Sequence, residues 1–231
     1  MIGYDKFALN HQLVLDLTMD EATGATGDYI FGRERAHHPV LLHGATIAWT
    51  QLASGLYVID LTSATPDWLD CSGADTADLD FTTEAFSMVF WLYMGAPMAT
   101  SMILCRGLAN TDGWMVLVTD TGRIQVATCQ AAATQTTSST AVIDAATWYF
   151  IGITRDEANV LTYINGLDVT DAPDTHIDIT TSARELHIGI RDDETSDPLD
   201  GYLWRPRIWD TRVLAQWEFK ELFEIERHWF D

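Results

Sequence analysis

The side chains of this chain that could do chemistry are mostly carboxylates. Asp192-Asp193-Glu194, followed by Asp197 and Asp200, crowds acidic groups into one short stretch. Hard cations are held by such oxygen clusters, about six to eight ligands at a time. Asp192, Asp193, Glu194 and Asp197 are therefore candidate calcium ligands, and calcium is the one cofactor the residues suggest, weighed against an ordinary solvated acidic loop. His37-His38-Pro39 with His43 offers imidazoles, but at a spacing that fits no helical or strand ligand set, and a surface loop is the favoured reading. Asp78-Leu79-Asp80 places two carboxylates two residues apart, in a turn where an Asx turn explains them. No Gly-x-Ser-x-Gly, no Cys-His pairing signal and no phosphate-cradling glycine loop occurs.

The elements that must position these groups are strands. Turn signals recur at short intervals, and between them lie runs rich in Val, Ile, Phe, Tyr and Trp. Strands are expected at Leu13 to Leu17, Tyr57 to Leu61, Phe86 to Tyr93, Met102 to Arg106, Trp114 to Val118, Arg123 to Thr128, Trp148 to Arg155, Val160 to Ile164, Leu186 to Ile190 and Gly201 to Trp209. Asp120-Thr121-Gly122, Asp156 to Asn159 and Asn165-Gly166 join neighbours as hairpins. Phe86 to Tyr93 is apolar on both alternating faces and should be covered on both sides. The Ala-, Thr- and Ser-rich stretch from Gln130 to Thr147 reads as a loop or weak edge. From Val213 to Arg227 the period changes, with Phe219, Leu222, Phe223 and Ile225 on one broad face, so this is the one expected helix. The fold class is all-β: a two-sheet antiparallel jelly-roll sandwich with one C-terminal helix, divided as an N-terminal arm (1–12), the sandwich (13–210), and a helix and tail (211–231).

Composition narrows the partners. Thirteen Lys and Arg against 34 Asp and Glu give a formal charge of −21, which repels nucleic acid. An acidic surface with only two lysines, Lys6 and Lys220, suits a saline setting as well as plain solubility. Cys71, Cys105 and Cys129 are odd in number and read as buried thiols. The uncharged run from Ala85 to Cys105 is long enough for a bilayer, but Gly95-Ala96-Pro97 breaks it and its β-branched and aromatic content favours strand-turn-strand, so no membrane span is expected. Met-Ile-Gly-Tyr-Asp-Lys-Phe carries no export signal, and synthesis in the cytoplasm is expected.

Several segments together resemble the laminin-G-like jelly-roll family, relatives of concanavalin A-type lectins and glucanases. They are Ala77-Asp78-Leu79-Asp80-Phe81 before Ala85 to Leu92; Trp148 to Thr154 with Leu161-Thr162-Tyr163-Ile164-Asn165-Gly166; and Leu186-His187-Ile188-Gly189 with Asp200 to Trp209 ahead of a short helix. The resemblance spans roughly Leu13 to Phe223. Ile59-Asp60-Leu61-Thr62 and Asp67-Trp68 depart from the family's usual loop, and Ala215 stands where a serine often caps the helix, a loss of about 1 kcal/mol.

Membership would imply a binding module. Pyranose rings stack on aromatic faces, and Trp49, Trp68, Trp114 and Tyr202 near loop boundaries are the candidate carbohydrate-binding residues. Trp91, Trp148 and Trp209 are assigned to the core. Glucanases of this fold carry carboxylates on one strand face, about 5 Å apart, and no Glu-x-Asp-x-Glu is present, so a glycoside hydrolase is the remote alternative and no catalytic residue is expected. Trp229 and Phe230 at the C-terminus are candidate partner-docking residues, with folding back onto the sandwich as the other way to cover two large aromatics. The expected role is a non-catalytic structural or adhesive module, as a decoration or receptor-contact protein at the surface of a virion or particle, meeting a shell or capsid-type protein as an oligomer or part of an assembly. The alternative is a carbohydrate-binding lectin of a secreted or cell-surface system, with a glycan as partner.

Overall fold

A computed structural model of the chain describes residues 8–19, 21–96, 98–171 and 174–230. Residues 1–7 of the expected arm, Pro97 of the Gly-Ala-Pro break and Asp231 of the tail lie outside the described residues. The strands are β1 (Leu13–Asp16), β2 (Tyr29–Phe31), β3 (Pro39–His43), β4 (Ala48–Gln51), β5 (Tyr57–Leu61), β6 (Trp68–Cys71), β7 (Phe86–Met94) and β8 (Ser101–Leu108). They continue as β9 (Asp112–Val118), β10 (Arg123–Gln130), β11 (Ala133–Val142), β12 (Trp148–Asp156), β13 (Asn159–Ile164), β14 (Leu167–Asp168), β15 (Leu186–Ile188) and β16 (Gly201–Asp210), before helix α1 (Gln216–Glu226).

Two eight-stranded antiparallel sheets result. The first runs β14-β13-β12-β7-β16-β5-β4, with β1 also on β16; the second runs β11-β10-β9-β8-β15-β6-β3-β2. Their inner faces meet in one core, to which Phe90, Ile151 and Leu203 come from the first sheet and Leu69, Leu104, Val116, Val126 and Ile188 from the second. This is the expected all-β jelly-roll sandwich with one C-terminal helix. The run from Ala85 to Cys105 becomes β7 and most of β8, and no helix among the described residues is long and apolar enough to cross a membrane.

Strand β7 is covered on both faces because α1 packs outside the first sheet. Trp91 on β7 and Phe150 on β12 lie under Phe223 at 5.8 and 6.2 Å between ring centroids. Phe219 lies over Gly152, where a Cβ would stand 2.6 Å from the ring. Only glycine lets the helix come this close. The Asn165-Gly166 turn has φ of 53° and 76°, the left-handed pair that a tight hairpin needs.

The helix differs from expectation in three ways. It begins at Gln216 rather than Val213, and Ile225 is exposed because only Phe219, Leu222 and Phe223 face the sheet. Its N-terminus is served without a capping hydroxyl: Glu218 reaches back to accept the backbone N–H of Ala215 at 2.9 Å and pairs with Arg212 at 2.5 Å. Trp148 is half-buried at the sheet margin rather than in the core, whereas Trp91 and Trp209 are buried as expected. The low-complexity stretch from Gln130 to Thr147 holds β11, the edge strand of the second sheet. All three cysteines are buried free thiols, and burial pushes Cys71 up to about 12 and Cys105 up to about 11.

Candidate functional site: a groove on the outer face of the second sheet

The end of the second sheet formed by β15, β6, β3 and β2 turns alternate residues outward, because successive strand side chains point to opposite faces. Ile30, Val40, Leu42, Leu69, Leu186 and Ile188 enter the core. Their neighbours Tyr29, Phe31, Pro39, Leu41, His43, Trp68, Asp70 and His187 take the other face. Register places Leu41 opposite both Tyr29 and Asp70, and Asp70 opposite His187. Asp70, Ser72, Asp75 and Glu185 join Tyr29, Phe31, Pro39 and Leu41 around a groove of about 540 Å³.

Two aromatic rings line it with much of their surface exposed. Tyr29 is 55% and Phe31 46% exposed, on a strand that ends its sheet. Phe31 stacks on His37 at 5.0 Å, and His37 Nδ1 lies 2.6 Å from the carbonyl of Gly32. Exposed rings beside carboxylates and a hydroxyl are the elements of a sugar-stacking surface.

Further along the same face, His43 stacks on Trp68 at 4.9 Å and 2° between planes, and its Nε2 meets Asp70 Oδ2 at 2.5 Å. Behind Asp70, His187 is only 3% exposed and neither ring nitrogen has a hydrogen-bond partner. Leaving a buried polar group unpaired costs roughly 1–3 kcal/mol. Carboxylates close on its Nε2, with Glu194 at 3.7 Å and Glu185 at 3.9 Å.

The structure scatters the four tryptophan and tyrosine candidates. Trp68 is half-buried on the groove face; Trp49 is half-buried on β4 against the core of the first sheet. Tyr202 sits on the far side of the sandwich, 5.0 Å from Tyr93 and 6.0 Å from Trp148. Trp114 is a correction: at 1% exposure it is core, stacked 6.1 Å from Phe81 with its indole N–H donating to the Leu79 carbonyl at 2.9 Å. Its position early in a strand suggested exposure, but β9 is flanked by β8 and β10 and this side chain points inward.

The acidic loop is also corrected. Asp192 accepts from Arg184 at 2.6 Å and Asp197 from Arg191 at 3.2 Å. Asp193 accepts the amides of Thr195 and Ser196 and the Ser196 hydroxyl, and the last of these, ahead of the amides, holds its carboxyl down at about 2. These oxygens satisfy arginines and a turn rather than converging on calcium; only Glu194 leans toward another site. Asp200 accepts the Ser63 amide. Among the described residues, the one trio of potential ligands with atoms within 4.8 Å of one another is Asp70, Glu185 and His187.

His38 is buried between Glu34, at 2.6 Å from Nδ1, and Asp78, at 3.0 Å from Nε2, so it is a structural group and not a surface loop residue. Asp80 pairs with buried Arg106 at 3.1 Å and accepts the Ser182 amide at 2.7 Å. The C-terminal pair divides. Phe230 folds back onto the sandwich, 4.1 Å from Trp91, 4.7 Å from Trp148 and 5.5 Å from Trp204, so it docks within its own chain. Trp229 stays partly exposed, its carbonyl accepting the Ser54 hydroxyl at 2.6 Å.

Tyr29, Phe31 and Asp70 escape sequence reasoning because β2, β3 and β6 are three to five residues long, and Glu185 and His187 because only the register of β15 on β6 brings them to Asp70. The signal that was present is Tyr29-Ile30-Phe31, an aromatic-aliphatic-aromatic alternation between Asp28 and Gly32.

Fold and groove define a lectin-type β-sandwich. Residues 71–218 match the family model for the concanavalin A-like lectin/glucanases superfamily, and the chain belongs to that superfamily. No curated protein matches it in sequence. Among solved structures it is similar to the binding domain of botulinum neurotoxin DC in complex with rat synaptotagmin II, with TM-score 0.69 and 14% identity over 94% of this chain and 52% of that one. It is likewise similar to the binding domain of serotype C1, with TM-score 0.70 and 13% identity over 94% and 52%. A third similar structure is botulinum neurotoxin type C, described as depending on interaction with two ganglioside molecules to enter cells, with TM-score 0.68 and 14% identity over 94% and 52%. The chain thus spans about half the length of these chains, and at such identities the likeness concerns the fold.

Proposed function

We propose that this chain is a non-catalytic glycan-binding module whose ligand lies in the groove between β2, β3 and β6. The observation that carries the reading is the pair of exposed rings, Tyr29 and Phe31, facing Asp70, Ser72, Asp75 and Glu185 across one concave surface. The rings supply stacking and the carboxylates accept from sugar hydroxyls. Because three carboxylates line the groove, it suits neutral sugars and repels sialylated or sulfated ones. Superfamily membership, the interaction with two ganglioside molecules described for one similar toxin and the synaptotagmin II complex of another support a binding role, though not the choice of a neutral sugar, since gangliosides are sialylated.

The test is a glycan array followed by titration calorimetry. Neutral oligosaccharides bind, and Phe31→Ala or Tyr29→Ala weakens them about two- to tenfold, one stacked ring being worth about 0.5–1.5 kcal/mol. A flat array profile overturns the reading, and so does release of reducing ends from a bound oligosaccharide, since Asp70 and Glu185 are close enough to act as a carboxylate pair.

A second reading, a decoration or receptor-contact protein at a particle surface, is favoured by Val213, Trp217, Ile225 and Trp229, which leave large apolar surface exposed on and around α1. It requires an oligomer or a complex with a shell-type protein, and a monomer by light scattering that captures no particle ends it.

A further inference from the structure

We infer that Asp70, Glu185 and His187 form a binding site for a divalent transition-metal ion of the zinc class, at the wall of the groove. Ligand atoms of all three lie within 4.8 Å of one another. Carboxylates alone would carry little weight in so acidic a chain. The independent observation is His187, 97% of which is removed from solvent, with both ring nitrogens unpartnered and Nε2 facing Glu185 and Glu194. A buried, unpartnered imidazole set among carboxylates is the mixed nitrogen and oxygen donor set that divalent transition metals take up.

The donor set selects the ion. One imidazole with carboxylates suits zinc and its neighbours, whereas calcium takes oxygen ligands only. Ligand atoms around a tetrahedral zinc ion, each about 2 Å from it, stand roughly 3.3 Å apart. Glu185, with a side chain 48% exposed, has the freedom to swing the remaining distance. The other two ligands are held by the sheet. Asp70 and His187 are register partners across β6 and β15, and His43, clamped against Trp68, meets Asp70 Oδ2 at 2.5 Å and so orients that carboxylate. Three protein ligands leave coordination positions open, and two of the three, Asp70 and Glu185, also line the groove. The site stands on this geometry whether or not the groove binds a glycan.

The test uses the untagged full chain, stripped with chelator and titrated with zinc chloride in the absence of sugar. One equivalent binds and raises the melting temperature, because the ion binds the folded state. Binding is lost in His187→Ala, and His43→Ala weakens it about 10–100-fold, as loss of an orienting partner does. His187→Ala removes a buried ring and is open to misfolding, so Glu185→Ala is the decisive variant. Its side chain is half-exposed, and it keeps the melting temperature of the stripped protein while zinc affinity falls at least tenfold. No zinc binding by the wild-type chain overturns the inference, as does binding undiminished in Glu185→Ala, or a response to calcium chloride alone.

Discussion

His38 and His176 are both buried, and they titrate in opposite directions. Burial by itself would lower His38, but hydrogen bonds and charge from Asp78 and Glu34 outweigh it and lift the imidazole from 6.5 to about 9. The folded chain therefore holds that proton more tightly than the unfolded one. The stability it contributes is complete below about pH 6.5 and is lost as pH rises toward 9. His176 lies between the hydroxyls of Thr128 at 2.7 Å and Thr137 at 2.8 Å. Burial first, then the charge of Arg155, lowers it to about 4, so its contribution is complete above pH 6.5 and is lost as pH falls toward 4. The melting temperature is expected to peak near pH 6.5. His38→Gln flattens the alkaline limb and His176→Gln the acidic limb, and calorimetric scans across pH 4 to 10 check both; limbs unchanged in these variants would refute the assignment.

At the scale of elements, the outer layer of the first sheet is an aromatic laminate held by α1 and the residue that follows its last turn. Glu226 anchors it, accepting from the Trp91 indole at 3.0 Å and pairing with Arg207 at 2.9 Å and Arg205 at 3.3 Å. Gly152→Ala puts a methyl carbon 2.6 Å from the Phe219 ring and is expected to destabilise by about 1–3 kcal/mol. Denaturant titration of the double variant Gly152→Ala with Phe219→Leu should recover part of the loss, because the two sites share one contact. Additive losses would show that the strain lies elsewhere. Phe230→Ala removes a ring from the Trp91, Trp148 and Trp204 cluster and is expected to cost about 1–3 kcal/mol, since each aromatic pair is worth about 0.5–1.5. An unchanged unfolding midpoint would mean that Phe230 is only resting on the surface.

For the whole molecule, the charge of −21 acts on stability as well as on partners. Arginines pair with carboxylates in several places, as in Arg184 with Asp112 and Asp192 or Arg106 with Asp80, yet acidic groups outnumber basic ones by 34 to 13. The excess repels itself, and salt screens charges over about 8 Å at ~0.15 M. The melting temperature should rise between low and moderate sodium chloride. A fall with salt would mean that the arginine pairs outweigh the net repulsion.

The β-sandwich was legible along the chain because its long strands carry their own signal. Phe86 to Tyr93 announces coverage on both faces, Asn165-Gly166 a tight turn, and Phe219, Leu222, Phe223 and Ile225 a helix with one apolar face, of which Ile225 proved exposed; each depends on residues close in sequence. The edge strands β2, β3 and β6 are too short to show a period. Which ring is exposed was not legible either: Trp114 and Trp68 look alike in the sequence, and only the pleat and the neighbouring strands send one into the core and leave the other on the outer face. The carboxylates of the acidic loop read as a metal site until Arg184 and Arg191 meet Asp192 and Asp197 in space. Asp70, Glu185 and His187 are joined by sheet register, with more than a hundred residues between β6 and β15. Composition and local periodicity thus determined the class of fold, the acidic surface and the absence of familiar catalytic motifs. The tertiary structure alone decided the site, since a groove is a product of strand pairing between distant segments, and no local spacing encodes which of them become neighbours.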